Sequence, residues 1–210
     1  MNRTDEARWP AGLALIACII LYAVLPSRLV VGPKWLVPVL VGLPLLPLSV
    51  FRHRSDEENP WVRRLGIGLL GVVSLANVTS VVLLVERILD TSVTQGRQLI
   101  FSAVAIWVTN VVIYGVWFWE IDRGGPARRA NGSTNYDLQF PQLENPSLAP
   151  AGWRPRFTDY LYTSFANGTS FAPADAMPLS RRAKVLFASE SVISLLTISV
   201  VAARAVNILH

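Results

Sequence analysis

The sequence predicts an all-α membrane protein: five transmembrane helices, with a short re-entrant or interfacial helix-loop before the last span. Three observations predict it. Hydrophobic residues make up 52% of the 210, and a mean hydropathy of +0.41 is too apolar for an ordinary soluble domain. The apolar residues fall in five blocks: Ala11–Leu25, Trp35–Phe51, Leu65–Val85, Leu99–Trp119 and Ala183–Ala203. Between the last two lies DYLYTSFANGTSFAPADAMPLSRR, residues 159–182, too short and too polar to cross a bilayer. Non-helical backbone at membrane depth is tolerated only where protein or a water-filled cavity satisfies its polar groups.

A helix needs about 20 apolar residues to cross the hydrocarbon core. The third, fourth and fifth blocks meet that length. The first is marginal unless Arg28 snorkels to the interface. It follows Arg3 and Arg8 in the manner of a signal peptide, but no small-x-small cleavage site comes after it, so it reads as an uncleaved span. The second carries Pro38, Pro44 and Pro47 and reads as a kinked or tilted span. Residues 53–64 form a charged turn. The fourth span ends in YGVWFWEIDRGGP, an aromatic belt that GGP terminates.

Three parts follow from this spacing: a four-span N-terminal bundle over 1–121, an extended irregular loop over 122–156, and a unit over 157–210 made of a pore-loop-like helix and the last span. Within the last unit, Phe157, Tyr160, Leu161, Ser164 and Phe165 recur at helical spacing, so a short helix is expected over 158–166. Gly168 and Pro173 are expected to break it, returning 167–176 as a loop.

The net charge of +5 comes from 17 Arg and 2 Lys against 14 acids. These cations flank apolar spans, which points to the lipid bilayer as partner rather than nucleic acid. With five spans, 14 of the 19 fall on the side of the N-terminal tail; only Arg28, Lys34, Arg87, Arg97 and Arg204 fall on the other. The positive-inside rule then makes the N-terminus cytoplasmic.

Polar residues inside spans mark the candidate site. Glu190, Ser194, Thr197 and Arg204 share one face of the last helix by spacing. Asn77 lies with Ser74 and Ser80 on the third span, and Asn110 with Tyr114 on the fourth. Such residues hold bundles together by interhelical hydrogen bonds, or mark a path for ions or substrates. At the interface, Glu120, Asp122 and Arg123 close the fourth span, and an ion pair of Asp122 or Glu120 with an arginine of the 181–184 cluster, Arg181 or Arg182, is expected. Enzyme signatures are missing. One buried Cys18 and two histidines, His53 and His210, give no metal-ligand spacing, and there is no G-x-S-x-G or phosphate-binding glycine loop. No catalytic residue, metal or cofactor is expected.

Ser164-Phe165-Ala166-Asn167-Gly168-Thr169-Ser170-Phe171-Ala172-Pro173-Ala174-Asp175 resembles, without a gap, the pore signature S-F-x-T-x-T-T-V-G-Y-G-D of two-helix potassium channels. On that register Glu190 takes the place of a Glu early in the following helix, and Asn167, Gly168, Thr169, Ser170, Phe171 and Asp175 become pore-loop candidates. The filter glycines are Ala172 and Ala174 and the tyrosine is Pro173, so a ring of stacked carbonyls and potassium selectivity are not implied. That class also inserts its pore loop from outside, whereas the charge count places this one inside. Over residues 70–209, TNVVIYGVWFWEIDRGGP, FPQL, DYLYTSFANGTSFAPADAMPLSRRAK and RAVNIL resemble a bacterial inner-membrane family of unknown function. That resemblance implies a location in the plasma (inner) membrane of a bacterium and no activity.

Three classes of function remain open. One is a homo-oligomeric channel-like protein passing a small ion along residues 159–180. Another is a small transporter working through Glu190 and Arg204. The third is a non-conducting scaffold or partner subunit with an interfacial helix. The charge count carries the first prediction: reporter fusions at Asn131 and at His210 will report opposite sides of the membrane, with Asn131 cytoplasmic. Asn131 outside would invert the topology.

Overall fold

In the computed structural model the described residues are 9–30, 32–39, 60–89, 96–172 and 176–208. The apolar blocks form helices α1 (Trp9–Val24), α2 (Pro60–Leu89) and α3 (Gly96–Ile121). Short elements follow: α4 (Pro126–Ala130), strand β1 (Leu138–Gln139), α5 (Pro141–Glu144), α6 (Phe157–Ser170), strand β2 (Met177–Pro178) and the long α7 (Arg181–Ile208). Among the described residues, three stretches are long and apolar enough to cross a membrane: Arg63–Ile88, Arg97–Gly124 and Arg181–Ala203. The first block is helical too, but its 16 residues fall short of that length, and the chain leaves the helix before Pro26. Of the second block, Trp35–Phe51, only residues 35–39 are among those described.

Side-chain contacts fix the helix directions. Arg63 donates to the carbonyl of Glu120, Trp117 Nε1 to Ser74 Oγ and Asn77 to Asn110, so α2 runs antiparallel to α3. Arg182 donates to the carbonyl of Ile121, Tyr114 to Ser189 and Asn110 to Ser194, so α7 is antiparallel to α3 as well. The core divides into two clusters along this axis. One joins Ala11 of α1 and Leu70 of α2 to Phe118, Trp119, Phe157 and Ala183. The other joins Tyr22, Leu25 and Leu29 to Val81, Leu84, Leu99 and Ile106. Leu29 therefore sits at the far end of the bundle, while α2 begins at the near end beside Glu120.

The segment 122–156, expected to be extended and irregular, is instead folded into short elements. Three of its five prolines start helices rather than interrupt them: Pro126, Pro141 and Pro146 each stand at the first turn of a short helix, where a missing N–H costs nothing. Leu138 and Gln139 pair antiparallel with Pro178 and Met177. This two-residue ladder ties the segment to the start of α7.

Helix α6 lies against α3 in the opposite direction. Phe157 meets Trp119 edge-on, Ser164 donates to the carbonyl of Val111, and Phe165 meets Trp107 edge-on. Its 14 residues cover about 21 Å at 1.5 Å per residue, and they end halfway along α3. The helix was expected to stop at 166, with Gly168 as a breaker. It continues through Gly168 to Ser170 and closes at Phe171 in the left-handed conformation, φ 57°. Gly168 serves contact rather than flexibility: a Cβ there would lie 3.2 Å from Ser194 Oγ and 3.4 Å from Val111 Cγ2.

Gly115 does the same for the other side of the joint. A Cβ on it would stand 3.1 Å from the Cα of Leu161, a backbone atom that cannot swing aside. Gly115→Val is therefore predicted to push α6 off α3 and cost about 1–3 kcal/mol, read as a lowered melting temperature in detergent. Gly66→Ala, with nothing within 4 Å of the added carbon, is the matched control and will melt at or above the parent. Equal melting of Gly115→Val and the parent would rule out a tight α3–α6 joint.

Candidate functional site

Two polar clusters hold α6 in place, one at its entrance and one along its deeper half. The entrance cluster is built on Asp122, which ends α3 and is fully buried. A carboxylate in that position must be hydrogen-bonded to be tolerated. Tyr160 of α6 donates to Asp122 Oδ2 at 2.7 Å, and Arg123 Nε reaches the same oxygen at 3.2 Å. The backbone amides of Asp137 and Leu138 donate to Asp122 Oδ1 at 3.1 and 3.2 Å. Arg129 donates to the carbonyls of Trp119 and Asp122 and lies over the rings of Trp119 and Tyr160.

The ion pair expected between Asp122 or Glu120 and the 181–184 cluster takes a different form. Arg182 pairs with Asp137, its Nε 2.6 Å from Oδ1 and its Nη2 2.5 Å from Oδ2. Asp122 takes its cation from its neighbour Arg123. The reason is geometric: the β1–β2 ladder brings residue 137 to the start of α7, while Asp122 turns inward toward Tyr160. Arg123 bends into the left-handed region, φ 53°, and its amide donates to Asp137 Oδ2. Glu120 offers its carbonyl to Arg63, and Arg181 is exposed.

The deeper cluster is the one marked by intramembrane polar residues. Glu190, Ser194 and Thr197 are all buried, at 0%, 0% and 1% exposure, and so share the inward face of α7. Asn77 donates to Asn110 Oδ1 at 3.3 Å, and Asn110 donates to Ser194 Oγ at 3.2 Å, a chain that crosses from α2 through α3 to α7. Thr197 instead turns its hydroxyl to the carbonyl of Ile193 on its own helix. The side chain of Arg204 lies outside what is described, so its alignment with this face stays an expectation from spacing. Glu190 is bound from α6: Ser164 hydrogen-bonds to Oε1, and Asn167 Nδ2 donates to Oε2 at 2.8 Å. Asn167 also donates to the carbonyl of Phe187 and accepts from Ser191.

Of the pore-loop candidates, Asn167 and Gly168 are buried in this joint, while Thr169, Ser170 and Phe171 are exposed at the tip of α6. Thr169 and Ser170 direct their hydroxyl protons back to the carbonyls of Phe165 and Ala166, which leaves oxygen lone pairs, not protons, facing outward. Trp107 Nε1 donates to the carbonyl of Gly168 at 3.4 Å. Asp175 lies outside the described residues. Among the described residues no group of three His, Cys, Asp or Glu is placed to hold a metal ion.

Sequence reasoning missed Asp137, Tyr160 and Trp107 as parts of the site. Asp137 stands directly before the apolar pair Leu138 and Phe140, opposite an arginine cluster, and that charge pattern was its one available signal. Tyr160 was read only as part of an apolar face. No family model, curated protein or solved structure matches this chain.

Asp137 yields a pH dependence. Burial alone would raise its carboxyl, but hydrogen bonds from Arg182 and Ser180, the Arg182 charge and the Arg123 amide outweigh it and hold the group below the ordinary aspartate value of 3.8. A depressed native pKa contributes stability that is present above the unfolded value and is lost as pH falls through the native one. Asp137→Asn is thus predicted to melt lower than the parent near neutral pH. The gap will close as pH is taken below about 4. A gap that stays constant across that range in detergent melting curves would remove the ion pair from the account.

Proposed function

We propose that the chain is a five-span protein of the bacterial plasma membrane, N-terminus cytoplasmic, that assembles with copies of itself around a path for a small ion. The module α3–loop–α6–return–α7 supplies the wall of that path. The carrying observation is the ending of α6 halfway along α3, with Thr169, Ser170, Phe171 and Ala172 exposed. The last carbonyls of a helix have no partners within it; here Phe171 N–H and Trp107 answer those of Asn167 and Gly168, and those that follow, at Thr169 and Ser170, call for water or a second copy, because an unsatisfied backbone group costs several kcal/mol in hydrocarbon.

Other features support the same reading. Leu29 and the start of α2 lie at opposite ends of the bundle, as a crossing by Trp35–Phe51 requires. The apolar residues Val185, Val192, Leu195 and Leu196 of α7 are exposed, as are Tyr162 and Phe165 of α6. That surface suits lipid or a neighbouring subunit. The resemblance of residues 164–175 to a pore signature falls on this same tip.

The test is single cysteines at Thr169, Ser170, Phe171 and Ala172 in protein reconstituted in nanodiscs, with the subunit number measured in parallel. Expected are an oligomer and cysteines that react with a small aqueous thiol reagent but not with a lipid-soluble one. A monomer whose tip is labelled evenly by reagent from the Asn131 side would leave an interfacial helix on a non-conducting scaffold. A monomer with access that switches sides would favour a transporter.

A further inference from the structure

Three oxygens meet where α6 crosses between α3 and α7. Ser164 Oγ stands 2.7 Å from the carbonyl oxygen of Val111 and within hydrogen-bonding distance of Glu190 Oε1. Each of these two oxygen–oxygen contacts needs a proton between its members, since bare lone pairs repel at such separations. The serine hydroxyl carries one proton, and a carbonyl carries none. Sharing that one proton between both oxygens would make a bent three-centre bond, a poor match to two close contacts, so the second proton is assigned to the carboxyl group.

The rest of the cluster accepts that assignment without a misfit. Asn167 Nδ2 has two protons and uses them on Glu190 Oε2 at 2.8 Å and the carbonyl of Phe187 at 3.1 Å. Ser191 donates to Asn167 Oδ1 at 3.3 Å. With a proton on Oε1, the order runs Glu190 to Ser164 to Val111 on one side and Asn167 to Glu190 Oε2 on the other. Every donor then has an acceptor. Without that proton, Ser164 has two acceptors for one hydrogen, and one contact becomes repulsive.

The charges nearby point the same way. Glu190 is 0% exposed, and no described cation pairs with it. It is faced from α3 by Val111 and Tyr114, the latter a neutral phenol donating to Ser189. From α6 it is faced by Ser164, Asn167 and Gly168, and on α7 by Phe187, Ser191 and Ser194. Ionic partners are absent from all three described sets.

We propose that Ser164, Asn167 and Glu190 form a proton-binding site, in which Glu190 is held as the neutral acid and donates to Ser164 Oγ while Ser164 donates to the carbonyl of Val111. The proton is then the bond that closes α6 onto α7. Its removal leaves the Ser164 contact contested and frees the half of α6 that carries Thr169 and Ser170. This assignment stands on hydrogen-bond counting and holds whether or not the protein conducts.

Infrared spectroscopy of the protein in nanodiscs near neutral pH tests it. A carbonyl stretch of a protonated carboxylic acid is expected in the parent and absent from Glu190→Gln, whose amide can still donate to Ser164 and accept from Asn167. Ser164→Ala, which removes the acceptor, will shift the band toward that of a free acid. If Glu190→Gln does not fold, the Ser164→Ala shift alone decides. No protonated-acid band in the parent, a band that persists in Glu190→Gln, or one that Ser164→Ala leaves in place would overturn the proposal.

Discussion

The buried carboxylate of Asp122 is the constraint on which the arrangement of α6 depends. It ends α3 at full burial, a position that costs several kcal/mol for an isolated charge. Four donors from three parts of the chain answer it: Tyr160 of α6, Arg123, and the amides of Asp137 and Leu138. Each donor carries its own segment to the end of α3. The amides bring β1, β1 brings β2 and the start of α7, and Tyr160 sets the depth at which α6 begins. Arg129 then caps the cluster by holding the two carbonyls around it.

Once α6 starts there, its course is decided by surface shape. Gly115 and Gly168 remove the side chains that would stand between α6 and its neighbours. Small residues allow the close helix approach that gives packing and hydrogen bonding inside a membrane, where lipid is as apolar as leucine and burial alone drives little. The polar residues follow the same rule. Asn77, Asn110 and Ser194 join three long helices by hydrogen bonds, and Glu190 joins α7 to α6.

How far the sequence foretold this depends on the range of the interaction. The helices α2, α3 and α7 were legible because block length and apolar content are local properties. The inward face of Glu190, Ser194 and Thr197 was legible because helical spacing puts residues on one side, and a carboxylate is costly on the lipid side. The pairing of Asp137 with Arg182 was not, because it depends on a two-residue ladder joining positions about forty apart. Gly168 was misread for a different reason. A glycine inside a helical pattern reads as a break or as a close contact with equal ease, and only the position of Ser194 chooses between them. Pro126 was misread likewise, since a proline that ends one helix is indistinguishable in sequence from one that begins the next.

The length of α6 argues for its role more than its composition does. A helix meant to lie flat on a membrane gains by exposing one broad apolar face to the headgroups. Helix α6 instead buries Phe157, Tyr160, Ser164 and Asn167 against α3 and α7 and leaves Tyr162 and Phe165 outward. Its 14 residues span about 21 Å, too short to cross the roughly 30 Å hydrocarbon core and too well packed along α3 to be a surface float. A helix of that length, anchored at Asp122 and clasped by Glu190, ends beside the middle of α3. Its final turn is closed from two sides: Phe171 N–H and the Ser170 hydroxyl answer the carbonyls of Asn167 and Ala166, and Trp107 of α3 answers that of Gly168.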